Sequence, residues 1–238
     1  MTVMIEEVAS GVMLMTLNRP AQRNAIDLAM ADALADALAT FECEPRWRVG
    51  IVTGTAPAFC AGLDLKAFSE PDAPRGRVTE VIQAFAKRTK PMIAAVTGAA
   101  YTGGLEIALA CDFILAGESA RFADTHAKIG ALSGSGMGSR LPRAVGARFA
   151  RQMMLTCAPI DAVTALRVGL ANEVIADAGL MTRAIELATM TAAYEPEIVA
   201  IAKKVIDQGS QATLGEAIEI EREALARRKA QGAMAWTR

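Results

Sequence analysis

Gly103, Gly104 and Glu106 stand within one stretch, 100–112, whose residue types suit anion and proton chemistry. Ahead of it the run Met92, Ile93, Ala94, Ala95, Val96 reads as a buried strand, by its length and its apolar and β-branched content. A loop of small residues follows, then a helix with apolar positions at Leu105, Ile107, Ala108 and Leu109. The two glycines mark its start. Without side chains there, a ligand can approach backbone N–H groups that have no acceptor inside the helix. Those donors and the positive end of the helix dipole suit an oxygen that gains negative charge. Glu106, three residues after Gly103, lies on the same side of the first turn. A carboxylate beside an anion site is equipped for acid–base work. A glutamate at that position also serves to cap its own helix, and the local sequence leaves both readings open.

A second loop, 58–66, contains Ala58, Phe59, Cys60, Ala61, Gly62, Leu63, Asp64, Leu65 and Lys66. It too follows a strand, so both loops are expected to leave neighbouring strands on one sheet edge, where open α/β sheets hold ligands. An N–H from Leu63 facing one from Gly103 makes a two-donor oxyanion hole. The plainer reading is a strand-to-helix connection, with Gly62 at positive φ and Asp64 as a cap. Cys60 has no histidine near it in sequence and reads as a small apolar residue.

These pieces need a frame to hold them. Residues 3–9 and 12–17 read as two strands joined at Ser10-Gly11, a hairpin signal. Asp27 suits the N-cap of a helix with an apolar stripe at Ala31, Leu34, Ala35, Leu38 and Phe41. A strand at 49–53 leads into the glycine- and alanine-rich loop, which ends at a helix or turn near 65–68. Residues 69–76 are the most turn-rich, and a helix over 78–87 precedes the strand at 92–96. Further short strands are predicted at 113–116, 120–123 and 171–175, with helices elsewhere beyond Leu132. Three helices occupy the last sixty or so residues, the final one opened by a capping box of Thr213 and Glu216. Glu223 and Arg227 can pair along it. The alternation of strand and helix predicts an α/β fold.

Taken together, 59–66, 90–100 and 103–112 resemble the crotonase (enoyl-CoA hydratase/isomerase) superfamily. So do Asn18-Arg19-Pro20, the segment Arg23-Asn24-Ala25-Ile26, and 130–146 with its ending Arg-Leu-Pro-Arg-Ala-Val-Gly. The likeness runs in order from about Asn18 to Val174. It implies a crotonase-like spiral of ββα units over about 1–177, within a single domain spanning 1–238. It also implies a helical oligomerisation segment over about 178–238, forming a homotrimer or a dimer of trimers. The implied ligand is an acyl-CoA thioester, its oxygen held by the N–H groups of Leu63 and Gly103. By the same likeness Arg23 and Ala25 lie near the adenine. Ala61, Leu63, Asp64, Leu65, Lys66, Gly103 and Gly104 line the coenzyme A path, and Gly134 is a backbone donor near the catalytic water. Lys66 also reads as an ordinary surface lysine. Glu106 matches the first of the two catalytic glutamates of the hydratases. The second, twenty residues on, is replaced by His126, and the proline usually before it is Thr125. His126 is the only histidine in the chain, and it reads either as a structural residue or as the replacement acid–base group.

The reaction implied is hydration of an enoyl-CoA, with no metal and no cofactor beyond the coenzyme A of the substrate. Isomerisation, decarboxylation or thioester hydrolysis on the same scaffold, or acyl-CoA binding without chemistry, are the alternatives. The glycines at 134–138 lack the strand and acidic residue of a dinucleotide fingerprint. With 238 residues, 53% of them hydrophobic, the chain can bury a sizeable core. A net charge of −1 gives no electrostatic case for nucleic acid or an anionic membrane. The four cysteines are widely spaced and expected to be reduced, and no basic region followed by an apolar run opens the chain. A cytoplasmic location is therefore expected.

Overall fold

The computed structural model describes residues 1–70, 72–230 and 232, so the end of the expected C-terminal segment lies outside the described residues. Strands β1 (Val3–Ala9) and β2 (Val12–Leu17) form the expected hairpin, with Gly11 at φ +77° in the turn. A left-handed backbone there is why glycine occupies it. Helix α1 (Leu28–Cys43) begins at Asp27, whose carboxylate accepts the Met30 N–H at 2.8 Å. Its buried face is Met30, Ala31, Leu34, Ala37, Leu38 and Phe41, while Ala35 sits half-buried at the edge.

The chain continues through β3 (Val49–Gly54), α2 (Gly76–Lys87), β4 (Met92–Val96), β5 (Ala99–Tyr101), α3 (Gly103–Ala110), β6 (Phe113–Gly117) and β7 (Arg121–Ala123). Then come α4 (Met137–Val145), α5 (Ala147–Thr156), β8 (Ile160–Asp161), α6 (Ala162–Arg167) and β9 (Glu173–Ile175). Three helices close it: α7 (Asp177–Ala192), α8 (Pro196–Gly209) and α9 (Leu214–Ala230). Residues 65–68 form a turn, not a helix. β5 and β8 were not expected from the sequence, because strands of three and two residues are too short to show a period.

One sheet has the order β1-β2-β3-β4-β6-β9, parallel from β2 onward, and a second has the order β5-β7-β8. Bridges from Ala58 to Gly98 and from Cys60 to Ala100 extend the smaller sheet. After each of β3, β4 and β6 the chain therefore crosses from the large sheet to the small one, at 58–60, β5 and β7. That repeat is the turn of a spiral. Both faces of the large sheet are covered. Met13, Met15, Ala94 and Val96 pack toward α1, α2 and α3, while Val12, Ile93, Ala95 and Leu115 pack toward α7. Burial on both sides explains why β4 reads as an unbroken apolar run.

Helix α7 presents Leu180, Ala184, Ala188 and Ala192, spaced by four, to that sheet, so it belongs to the core and the standing-off segment begins at α8. Neither α8 nor α9 buries a residue. Lys203 of α8 bonds Asp112 at 2.9 Å, and Asp112 also pairs with the fully buried Arg88.

Candidate active site

The α3 helix starts under constraint. Thr102, just before it, has φ +51° and ψ −110°, an unusual backbone for a residue with a branched side chain. Its N–H bonds Ala123 O at 2.9 Å, and its hydroxyl lies 2.6 Å from that of Thr125. A side-chain carbon at Gly104 would lie 2.2 Å from Cys60 O, whereas one at Gly103 would meet nothing nearer than 3.6 Å. Two glycines were expected to clear room for a ligand. At Gly104 the room is needed by the chain itself, because the 58–62 loop packs directly on the helix.

The two loops do meet, as their exit from adjacent parallel strands requires. Gly62 has φ +100°, and a side-chain carbon there would come within 3.5 Å of Gly103 N. Ile26 bridges to Leu63, its N–H bonding Gly62 O at 2.7 Å and its O accepting Asp64 N–H at 2.9 Å. In such a bridge the N–H of Leu63 points away from Ile26. Among the described residues, the N–H groups of Leu63 and Gly103 have no acceptor. Two unpaired donors on adjoining loops are able to bind a negatively charged oxygen.

Glu106 is 3% exposed and does not cap its helix. Instead its Oε1 accepts a hydrogen bond from Ser133 Oγ, and Ser133 Oγ accepts the N–H groups of Ser135 and Met137 at 3.2 Å each. Burial pushes the Glu106 pKa up. The Ser133 hydroxyl, the positive charge available at His126 and the Met137 N–H pull against that rise, and the charge of Asp124 adds to it. The helix-cap reading of Glu106 is thereby excluded.

His126 does not hydrogen-bond Glu106. Its Nδ1 lies 2.6 Å from Asp124 Oδ1, which also accepts the His126 N–H at 3.2 Å. Burial disfavours the imidazolium, yet the bond to Asp124 and the charges of Asp124 and Glu106 outweigh it and raise the His126 pKa. Arg140, half-buried, donates to Ser135 O at 2.6 Å and feels the Glu106 charge. Burial pushes the Cys60 thiol up to about 12, so it is no thiolate.

Arg23, Ala25, Ala61 and Asp64 gather on one lobe. Ala61 N–H bonds Arg23 O at 3.0 Å, and Asn24 Nδ2 bonds Thr55 O at 2.8 Å and Ala58 O at 2.6 Å. The Asp64 carboxylate is engaged by Arg19 at 3.0 Å and by the N–H groups of Lys66 and Ala67, so its side chain braces the loop. Leu65 and Lys66 are exposed at the rim. Gly134 is exposed next to Ser133 and accepts a bond from Gln83. A cavity of about 1160 Å³ abuts this loop from the side of α8, lined by Gly134, Ser135, Gly136 and Arg140 but not by Glu106.

The sequence model of a family described as enoyl-CoA hydratase/isomerase matches residues 7–234. The chain belongs to the enoyl-CoA hydratase/isomerase family. It is 34% identical to a probable peroxisomal enoyl-CoA hydratase 1 of Arabidopsis thaliana, over 93% of this chain and 84% of that protein. It is 35% identical to the 2,3-dehydroadipyl-CoA hydratase of Escherichia coli, over 89% of this chain and 84% of that one. The crystal structure of an enoyl-CoA hydratase from Bacillus anthracis superposes with a TM-score of 0.91 at 31% identity, covering 95% of this chain and 90% of that one. The spiral is thus the crotonase fold, and the protein is an enzyme of the enoyl-CoA hydratase/isomerase family. Against that family background, sequence reading missed Asp124, Ser133 and Arg140. An acidic residue two before the lone histidine was the available signal for Asp124. Ser133 had none, since it reaches Glu106 from 27 residues away.

Proposed function

We propose that the protein adds water to the double bond of an enoyl-CoA thioester, using Glu106 and His126 in place of two glutamates. The observation that carries this reading is the free N–H of Gly103, beside that of Leu63, at the start of the helix that bears the buried Glu106. In this reading the thioester oxygen accepts both N–H groups, which stabilise it as it becomes an enolate. Glu106, ionised, takes a proton from the water whose oxygen bonds the β-carbon. His126, protonated, gives a proton to the α-carbon. The proton left on Glu106 then returns to His126, and the pair ends as it began.

Arg23 and Ala25 flank the adenine in this reading, and Ala61 with 63–66 lines the coenzyme A path, with Lys66 free to meet a phosphate. Gly104 keeps the loop close to the helix, and Gly134 offers a donor near the water. Coenzyme A arrives with the substrate, so no resident metal or redox group is called for. Among the described residues no helix is long and apolar enough to cross a membrane. The unburied α8 and α9, with Ile206, Leu214, Ile218 and Leu225 exposed, support a homotrimer or dimer of trimers.

The test is loss of the conjugated thioester's ultraviolet absorbance, across a panel of straight-chain and ω-carboxylated enoyl-CoAs. The latter are included because one relative's name specifies such a substrate. Glu106→Gln and His126→Ala should each lower turnover roughly 100-fold or more. Release of free thiol would turn the assignment to hydrolysis. Acyl-CoA recovered unchanged from a tight complex would turn it to binding alone.

A further inference from the structure

His126 is the only histidine in the chain, and its nearest polar partner is Asp124, not Glu106. Asp124 is 2% exposed, and its Oδ1 meets both Nδ1 and the backbone N–H of His126. The segment carrying both residues cannot drift. Ala123 is paired with Tyr101 in the small sheet, Ala123 O accepts the Thr102 N–H at 2.9 Å, and the Thr125 hydroxyl meets that of Thr102 at 2.6 Å. Asp124 and His126 therefore flank a residue whose hydroxyl is tied to that of Thr102, the residue just before Gly103. Nδ1 is taken up by Asp124, which leaves Nε2 as the ring atom open to proton transfer.

We propose that Asp124 is a positioning residue of this enzyme, which accepts the Nδ1–H of His126 so that Nε2 is the atom presented to the substrate. This rests on the hydratase reading for its catalytic consequence, but the Asp124–His126 arrangement is measurable without substrate. The charged groups that bear on His126 are Asp124 on its own segment and Glu106 from α3, and both favour the imidazolium. Arg140, from α4, bears on Glu106. Removing the Asp124 charge leaves Glu106 as the sole support for the proton on His126.

The single histidine makes the test direct. The full chain, without a histidine tag, is labelled with ¹⁵N and its one imidazole is followed by long-range ¹H–¹⁵N correlation NMR across the pH range. A free neutral imidazole favours the proton on Nε2. Here the deprotonated ring should keep it on Nδ1. Asp124→Asn should lower the His126 pKa by about one unit or more. With enoyl-CoA, the same variant should lose roughly 100-fold or more in kcat with KM nearly unchanged. The basic limb of its pH profile should move down by the shift seen in the NMR titration. A wild-type ring that carries its neutral proton on Nε2 overturns the proposal, and that measurement needs no variant to fold. An unchanged His126 pKa in folded Asp124→Asn overturns it equally. Should the NMR results hold while no enoyl-CoA is hydrated, the hydratase reading fails and the Asp124–His126 arrangement stands.

Discussion

In the proposed hydration, Glu106 and His126 carry opposite ordinary charges, and their surroundings set a pH window for the reaction. Glu106 must be ionised and His126 protonated, and both pKa values are raised above their ordinary 4.5 and 6.5. A bell-shaped dependence of kcat/KM is therefore expected, with its acid limb above pH 4.5 and its basic limb above pH 6.5. The limbs belong to the interacting pair, since each charge stabilises the other. Ser133 tests the acid limb. Its hydroxyl favours ionised Glu106, so Ser133→Ala should raise the Glu106 pKa further and move the acid limb to higher pH. The basic limb, set by His126, should stay nearly in place. A rate profile taken over the full range reads both limbs at once, and an acid limb that moves down in Ser133→Ala would contradict the role given to Ser133.

At the level of elements, the contact between the 58–62 loop and the start of α3 holds the two donors together. Gly104 is its tightest point, since a methyl there would stand 2.2 Å from Cys60 O, a backbone atom. Backbone cannot rotate aside as a side-chain tip can. Gly104→Ala should therefore force the loop from the helix and cost about 1–3 kcal/mol of stability. It should also lower turnover, because the Leu63 N–H moves with the loop. Gly103→Ala meets only ordinary contacts, with Gly62, Ile26 and Ile82 at 3.6–3.7 Å, and should fold with near-native stability. Denaturant unfolding of the two variants side by side distinguishes them. Equal stability would mean that the loop does not rest on Gly104.

For the whole molecule, the docking of α8 depends on a few charges. Burial disfavours ionised Asp112, but Arg88 and Lys203 outweigh it and hold the carboxyl below its ordinary 3.8. A depressed carboxyl contributes stability in full above pH 3.8, and that stability is lost as pH falls through the lower, folded-state value. Asp112→Asn removes that contribution and leaves the buried Arg88 without its carboxylate. It should cost about 3–5 kcal/mol near neutral pH, and the gap from wild type should narrow in acid. Thermal unfolding at several pH values measures both. In the proposed assembly the outer faces of α8 and α9, which bury no residue within the chain, are the contact surfaces. Replacing both Ile218 and Leu225 by Glu should convert an oligomer to monomer, as read by light scattering. A native chain that is already monomeric at micromolar concentration would remove the basis for assigning these faces to assembly.

Much of this was legible in the sequence, and the reason is local. The hairpin at Gly11, the cap at Asp27, the buried strand 92–96 and the helix opened at Gly103 each depend on residues near in sequence, so composition and period reveal them. The family motifs added the spiral and the pairing of Leu63 with Gly103. Tertiary structure alone decided what surrounds the reactive groups. Glu106 reads equally as a cap or a catalyst until Ser133 is seen holding its carboxyl from another loop. His126 reads as a structural residue or as an acid–base group until the fold shows its hydrogen-bond partner, Asp124, held in place because the β7 end is pinned to Thr102. The short strands β5 and β8 are defined by partners across the sheet and carry no period of their own. Burial, partner and proton affinity are properties of a neighbourhood, and a neighbourhood drawn from distant segments exists only once the chain has folded.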